Sequence, residues 1–116
     1  HERHAEAARR AVNAWGLEMQ CAEPSEYSPV LTAVVMPDGH DADNLRAIIL
    51  DKYNMSLGSG LGKVKGKVFR IGHLGDFNDL MLLGALSGVE MGLAVAGVPH
   101  KKGGAQAAID FLTGNA

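Results

Sequence analysis

An arginine, Arg70, lies inside a short apolar run, residues 68–71, of the kind that forms a β-strand. Its guanidinium stays protonated, and burying an unpaired charge is costly, so the strand has to bring it to a negative partner. The planar fork of N–H donors matches a carboxylate in a bidentate way. Two partners meet this constraint: a small carboxylate ligand, or an Asp or Glu of the same chain. Composition alone favours the internal ion pair, because such pairs commonly explain half-buried charges.

A glycine-rich stretch, residues 58–62, lies shortly before this strand. It does not have the spacing of a phosphate-binding P-loop, since Val64 follows Lys63 where that motif has Ser or Thr. The dinucleotide-binding glycine pattern fails too, because Gly62 comes too early. The glycines are instead interpreted as allowing positive φ angles in a mobile loop beside Arg70.

Hydrophobic periodicity predicts helices and strands that alternate along most of the chain. Pro and Gly signals place the turns between them, and Asp41 and Asp76 are predicted to open the second and third helices. With so few strands, we expect an α/β (α+β) two-layer sandwich in which helices pack on a small, mainly antiparallel sheet of three to four strands. The predicted helices cover residues 2–15, 41–53, 76–96 and 105–112, and the predicted strands cover 17–22, 30–36, 55–57 and 67–71.

Three glycines, Gly84, Gly88 and Gly92, recur every fourth residue along the third predicted helix. Each lowers helix stability by about 1 kcal/mol relative to Ala, so we expect this face to pack closely on the sheet or on another helix. Cys21 falls on the apolar phase of its strand and is predicted to be a small core residue. His73 follows Arg70 by three residues, which leaves both a proton-transfer role and a structural role open.

Composition restricts the partners of the chain. A length of 116 residues predicts one domain over residues 1–116. A net charge of −2 gives no basic field, so neither nucleic acid nor an anionic membrane is a favoured partner. The longest uncharged run, residues 80–89, is too short to span a bilayer, and a single cysteine fits a cytoplasmic location. Because the first residue is not Met and no N-cap precedes the first helix, we expect the sequence to be cut from a longer polypeptide.

Two segments, residues 53–62 and 66–75, resemble the C-terminal small domain of class V aminotransferases, nearest to the serine–glyoxylate and alanine–glyoxylate group. The resemblance runs through nearly the whole chain and is densest over residues 53–76. It implies that Arg70 holds the substrate α-carboxylate. It also implies that Gly58, Ser59 and Gly60 belong to a loop at the active-site mouth, and that the small domain is a two-layer sandwich.

The same resemblance implies a cofactor, pyridoxal phosphate (PLP), bound as a Schiff base to a lysine of a large N-terminal domain. None of the six lysines here lies in a context typical of that lysine, so the 116-residue chain alone is expected to be inactive. The full-length enzyme is expected to be a homodimer that transfers an amino group from serine, alanine or aspartate to glyoxylate. The alternative is a free-standing module that binds a small carboxylate without catalysis. The lysines are Lys52, Lys63, Lys65, Lys67, Lys101 and Lys102.

Overall fold

Four helices and a four-stranded sheet make up the computed structural model, which describes residues 2–20, 31–60, 65–72 and 78–114. The strands lie in the order β1-β2-β4-β3, and every neighbouring pair is antiparallel. The predicted two-layer α/β sandwich is therefore confirmed. Its elements are α1 (Glu2–Trp15), β1 (Glu18–Met19), β2 (Leu31–Val35), α2 (Ala42–Tyr53), β3 (Gly58–Ser59), β4 (Val68–Gly72), α3 (Asp79–Val95) and α4 (Gly104–Leu112).

One face of the sheet carries the hydrophobic core. Val34, Phe69 and Ile71 alternate onto this face, because successive strand residues point to opposite sides and residues directly opposed in a ladder share a side. They are at most 1% exposed. The core extends from them into the helices through Trp15, Leu45, Ile49, Leu82, Leu86 and Leu93.

Close packing explains two of the three regularly spaced glycines in α3. A Cβ on Gly88 would lie 2.9 Å from the terminal carbon of Met55, and one on Gly92 would overlap the side chain of Ile49 in α2. The prediction that this face packs against another helix or the sheet is confirmed for Gly92, whereas Gly88 packs closely on Met55 in the connection between α2 and β3. It is wrong for Gly84, which is exposed and has open space around it.

The start of α3 differs from the prediction. Asn78, and not Asp76, caps the helix, and its side-chain oxygen accepts a hydrogen bond from the backbone N–H of Met81 at 2.8 Å; Asp76 lies outside the described residues. Asp79 binds Arg3 of α1 at 2.6 Å and lies 2.9 Å from a ring nitrogen of His4. Hydrogen bonds from Arg3 and then His4 lower the pKa of Asp79 to about 2. Asp41 caps α2 as predicted, accepting from the backbone N–H of Asp43 at 2.9 Å.

The edge strand predicted over residues 55–57 is wrong in position. Leu57 is buried, and its carbonyl oxygen accepts a hydrogen bond from Nε of Arg46 at 2.8 Å. Pairing with β4 begins at Gly58, one residue after the end of the predicted strand. At the other edge of the sheet, β1 is shorter than the predicted strand over residues 17–22, and Cys21 lies outside the described residues.

A single carboxylate, that of Glu90, connects three helices. It accepts hydrogen bonds from the indole N–H of Trp15 at 2.8 Å and from the backbone N–H groups of Gly103 and Ala105, both at 3.1 Å. Burial raises the pKa of Glu90, but these hydrogen bonds lower it by more, and the net pKa lies below the usual 4.5. The negative charge stands at the start of α4, where unpaired N–H groups favour an anion.

Gly84 and Gly92 allow a matched test of the α2–α3 packing. Gly92→Ala should lower the free energy of unfolding by about 1–3 kcal/mol, because the added methyl group overlaps Ile49. Gly84→Ala should raise it by up to about 1 kcal/mol, since alanine is the better helix former and the space is open. Urea denaturation of both variants measures the difference, and equal effects would contradict the packing described.

Glu90→Gln should lower the free energy of unfolding by about 1–3 kcal/mol at neutral pH, because an amide accepts hydrogen bonds less strongly than a carboxylate. Since folding lowers the pKa of Glu90, its stabilisation is complete above the unfolded value of about 4.5 and is lost as the pH falls below it. The difference in the free energy of unfolding between wild type and variant should therefore be largest at pH 7 and should decrease at acidic pH. A gap that is the same at pH 7 and pH 3 would exclude the charge as the cause.

Candidate carboxylate-binding site

Arg70 lies in the middle of β4, opposite Ala33 of β2 on one side and Gly58 of β3 on the other. Neither neighbour carries a side chain beyond a methyl group, so the row leaves room for the long arginine side chain. A Cβ on Gly58 would lie 3.2 Å from both Cβ and Nε of Arg70, and 3.7 Å from Nη2. The arginine therefore extends across β3, toward the edge of the sheet.

The strand holds the backbone of Arg70 firmly. Its neighbours Phe69 and Ile71 are buried in the core, at 0% and 1% exposed. Both sides of β4 pair with other strands, so its register is fixed from two directions. Alternation then places Arg70 on the opposite face, together with Ala33, Val35 and Val68; Val68 is buried, whereas Ala33, Val35 and Arg70 are half-buried. We call this surface the Arg70 face, defined by Ala33, Val35, Gly58, Val68 and Arg70.

The guanidinium of Arg70 has an unmet need for an acceptor. Its Nε is buried and has no hydrogen-bond partner among the residues that the structure describes, which is costly by about 1–3 kcal/mol and by more for a charged group. Within residues 2–20, 31–60, 65–72 and 78–114, Arg70 forms no ion pair. The other arginines of this part, Arg3, Arg9, Arg10 and Arg46, each contact a carboxylate.

The structure distinguishes between the two partners that the sequence allows for Arg70. The internal ion pair, which composition favoured, is not found among the described residues. A carboxylate that approaches from outside the described chain would supply the missing acceptor, and the fork geometry would let it bind two guanidinium N–H groups at once.

The predicted glycine-rich loop is a strand in its first part. Gly58 and Ser59 form β3, opposite Arg70 and Phe69, and the backbone N–H of Gly60 donates to the carbonyl of Val68 at 3.0 Å. The loop interpretation is thus wrong for Gly58 and Ser59, because they pair with β4 in the sheet, whereas Gly60 follows the end of β3. Of the three, Gly58 is directly next to Arg70, whereas Ser59 shares the core face with Phe69. Their place at an active-site mouth remains a prediction.

The remaining candidates from the sequence lie apart from Arg70 or outside the described residues. His73, Lys63 and His1 belong to the second group, and His4 is engaged with Asp79. In the part of the chain that the structure describes, no three His, Cys, Asp or Glu side chains could hold a metal ion. No helix there is long and apolar enough to cross a membrane.

No protein-family model matches the chain, but curated proteins do. It is 46% identical to the serine–glyoxylate aminotransferase of Methylorubrum extorquens over 99% of this chain and 30% of that enzyme. It is 49% identical to the serine–glyoxylate aminotransferase of Arabidopsis thaliana, over 97% of this chain and 28% of the relative. An L-aspartate–glyoxylate aminotransferase of Paracoccus denitrificans is 44% identical, over 93% and 27% respectively.

Solved structures give the same result. The pyridoxamine–pyruvate aminotransferase of Mesorhizobium loti superimposes with a TM-score of 0.88 at 35% identity, over 98% of this chain and 30% of its own. The ureidoglycine–glyoxylate aminotransferase of Bacillus subtilis gives 0.87 at 30% identity, over 97% and 29%. The chain thus spans about 30% of the length of its relatives. It is homologous to the C-terminal part of serine–glyoxylate aminotransferases, which confirms the resemblance of residues 53–76.

Replacing Arg70 tests whether its charge is structural. Arg70→Met should leave the free energy of unfolding unchanged or raise it by up to about 2 kcal/mol, because it removes an unpaired buried donor. Arg46→Met is the matched control and should lower it by about 1–2 kcal/mol, since Arg46 bonds both Leu57 and Asp43. Urea denaturation measures both. A loss of about 3–5 kcal/mol for Arg70→Met would indicate a buried ion pair instead.

Proposed function

We propose that residues 1–116 are the C-terminal small domain of a PLP-dependent aminotransferase and that Arg70 binds the α-carboxylate of its amino acid substrate. The observation that carries the proposal is the buried Nε of Arg70, which lacks an acceptor in the described part of the chain although the arginine's backbone is fixed on both sides. The sequence relatives support it, because their names describe amino transfer from serine or aspartate to glyoxylate.

The proposed reaction moves an amino group from serine, alanine or aspartate to glyoxylate. Each of these donors, and glyoxylate itself, carries a carboxylate next to the carbon that gains or loses nitrogen. One arginine can therefore hold donor and acceptor in turn, at the same place. Discrimination between donors depends on the side chain of the amino acid substrate, which Arg70 does not contact in this scheme.

Arg70 contributes orientation. A bidentate pair with the carboxylate fixes the plane of that group, and with it the direction in which the bonds of the neighbouring carbon point. Holding the reacting carbon in one orientation lowers the entropic part of the barrier. Rigid support is needed for this, and the pairing of β4 on both sides provides it.

The described residues do not fit a PLP site. Lysine would have to be enclosed to hold the cofactor, whereas all five lysines in the described ranges are exposed: Lys52, Lys65, Lys67, Lys101 and Lys102. The proposal therefore assigns PLP and its lysine to a large domain that precedes these residues in the full-length polypeptide. PLP supplies the electron sink there, and this chain supplies the carboxylate contact.

The proposed full-length enzyme is a cytoplasmic homodimer, as the family resemblance and the single cysteine suggest. Its ligands are small amino acids and 2-oxo acids. Nucleic acid and membrane are not proposed as partners, because the net charge of −2 provides no basic surface.

Arg70→Lys in the full-length enzyme should reduce kcat/KM for the free amino acid by roughly ten- to two-hundred-fold. Lysine keeps the charge but loses the bidentate fork, which is worth about 1.5–3 kcal/mol. The absorbance of bound PLP should stay unchanged, because Arg70 is assigned to the substrate. Steady-state kinetics with serine and with its carboxamide measure the effect, and the carboxamide should be little affected.

The carboxamide is the control for a general loss of activity. If Arg70→Lys slows both donors equally, the arginine does not recognise the carboxylate. If it leaves the free acid untouched, Arg70 is not in the substrate site. Either result would sink the proposal.

A further inference from the structure

Gly58 occupies the one position in β3 that faces the Arg70 side chain directly. Its φ angle is not in the left-handed region, so the backbone conformation does not require glycine there. What the position lacks is space: a Cβ would lie 3.2 Å from Cβ and from Nε of Arg70. Carbon contacts this short are tighter than ordinary van der Waals packing, in which atoms lie about 3.5–4.0 Å apart.

We infer that Gly58 is a positioning residue for substrate recognition, because the missing side chain lets the Arg70 guanidinium lie across β3 in its binding orientation. The inference rests on the proposed function. It gives Gly58 a role different from loop mobility, since the residue is held in the sheet and acts through the arginine alone.

The expected effect of a methyl group at Gly58 follows from the geometry. The Cβ atoms at positions 58 and 70 are each fixed by their own strand, so the contact between them is relieved only by a small shift of β3 relative to β4, whereas the contact with Nε is relieved by movement of the guanidinium. Nε is also the buried donor without a partner. Both shifts therefore displace the fork that meets the carboxylate.

Gly72 offers a matched control in the same sheet. It lies two residues after Arg70 in β4, on the same face, and its φ angle is also outside the left-handed region. A Cβ there would meet no atom of residues 2–20, 31–60, 65–72 and 78–114 within 4 Å. Gly72→Ala thus adds the same methyl group to the same surface without touching the guanidinium.

The test compares Gly58→Ala, Gly72→Ala, Arg70→Lys and the Gly58→Ala/Arg70→Lys double variant in the full-length enzyme. Kinetics with serine and its carboxamide give the selectivity for the carboxylate, and thermal unfolding reports the fold. Gly58→Ala should lower kcat/KM for serine by about five- to fifty-fold, because small misplacements of a binding group are costly. Turnover of the carboxamide should be nearly unchanged, the unfolding temperature should fall only slightly because β3 has to shift beside β4, and Gly72→Ala should behave as wild type.

The double variant tests whether Gly58 acts through the arginine. In the Arg70→Lys background, Gly58→Ala should change kcat/KM for serine by at most about two-fold, because the two effects are coupled. The inference would be overturned if the effects of Gly58→Ala and Arg70→Lys on kcat/KM were fully additive, or if Gly58→Ala slowed serine and its carboxamide equally. It would also be overturned if Gly72→Ala had as large an effect as Gly58→Ala, or if Gly58→Ala did not fold. If Arg70→Lys lowers kcat/KM for serine more than for the carboxamide, but Gly58→Ala changes neither, only the role of Gly58 is contradicted. If Arg70→Lys lowers kcat/KM equally for serine and for the carboxamide, the proposed function itself is contradicted.

Discussion

The pairing of β4 between β2 and β3 is the constraint on which the rest of the site depends. It buries Phe69 and Ile71 on one face of the sheet, and the alternation of side chains along a strand then determines the face of the residue between them. Arg70 has to lie on the other face. A slip of one residue in this ladder would place the guanidinium in the core and expose two large apolar side chains, so packing on one face fixes chemistry on the other.

The helical layer supports this arrangement from behind the sheet. Trp15, Ile49 and Leu82 belong to the same buried core as Phe69, and Glu90 ties α1 to α3 and to the start of α4. Glycines at 88 and 92 bring α3 close to α2 and Met55. None of these contacts reaches the Arg70 face, which separates the residues that stabilise the fold from those proposed to bind substrate.

Much of this fold could be predicted from the sequence, because long periodic segments carry strong local signals. The bounds of α1 and the Asp41 cap of α2 followed from apolar spacing and from the preference of Asp for helix starts. The edge strand and the start of α3 could not be placed correctly. The edge strand depends on pairing with β4, which is a tertiary contact, and the start of α3 depends on the choice of Asn78 as the cap, since Asp76 and Asn78 are both suitable N-cap residues. The hydrogen bonds of Glu90 could not be predicted either, because the sequence around a single glutamate in a helix does not indicate partners on two other helices.

The candidate site also combines one feature that the local sequence predicts with one that depends on the pairing of strands. A charged residue inside an apolar strand identified Arg70, and a family resemblance supplied its proposed role. The cross-strand relation to Gly58 required the register of the sheet, which the local sequence does not encode. The most direct test of the carboxylate site is a crystal structure of the full-length enzyme with a bound amino acid. The account predicts that two carboxylate oxygens lie about 2.7–2.9 Å from Nε and a terminal nitrogen of Arg70. A carboxylate bound elsewhere, with Nε of Arg70 paired to an Asp or Glu of the same polypeptide, would contradict it.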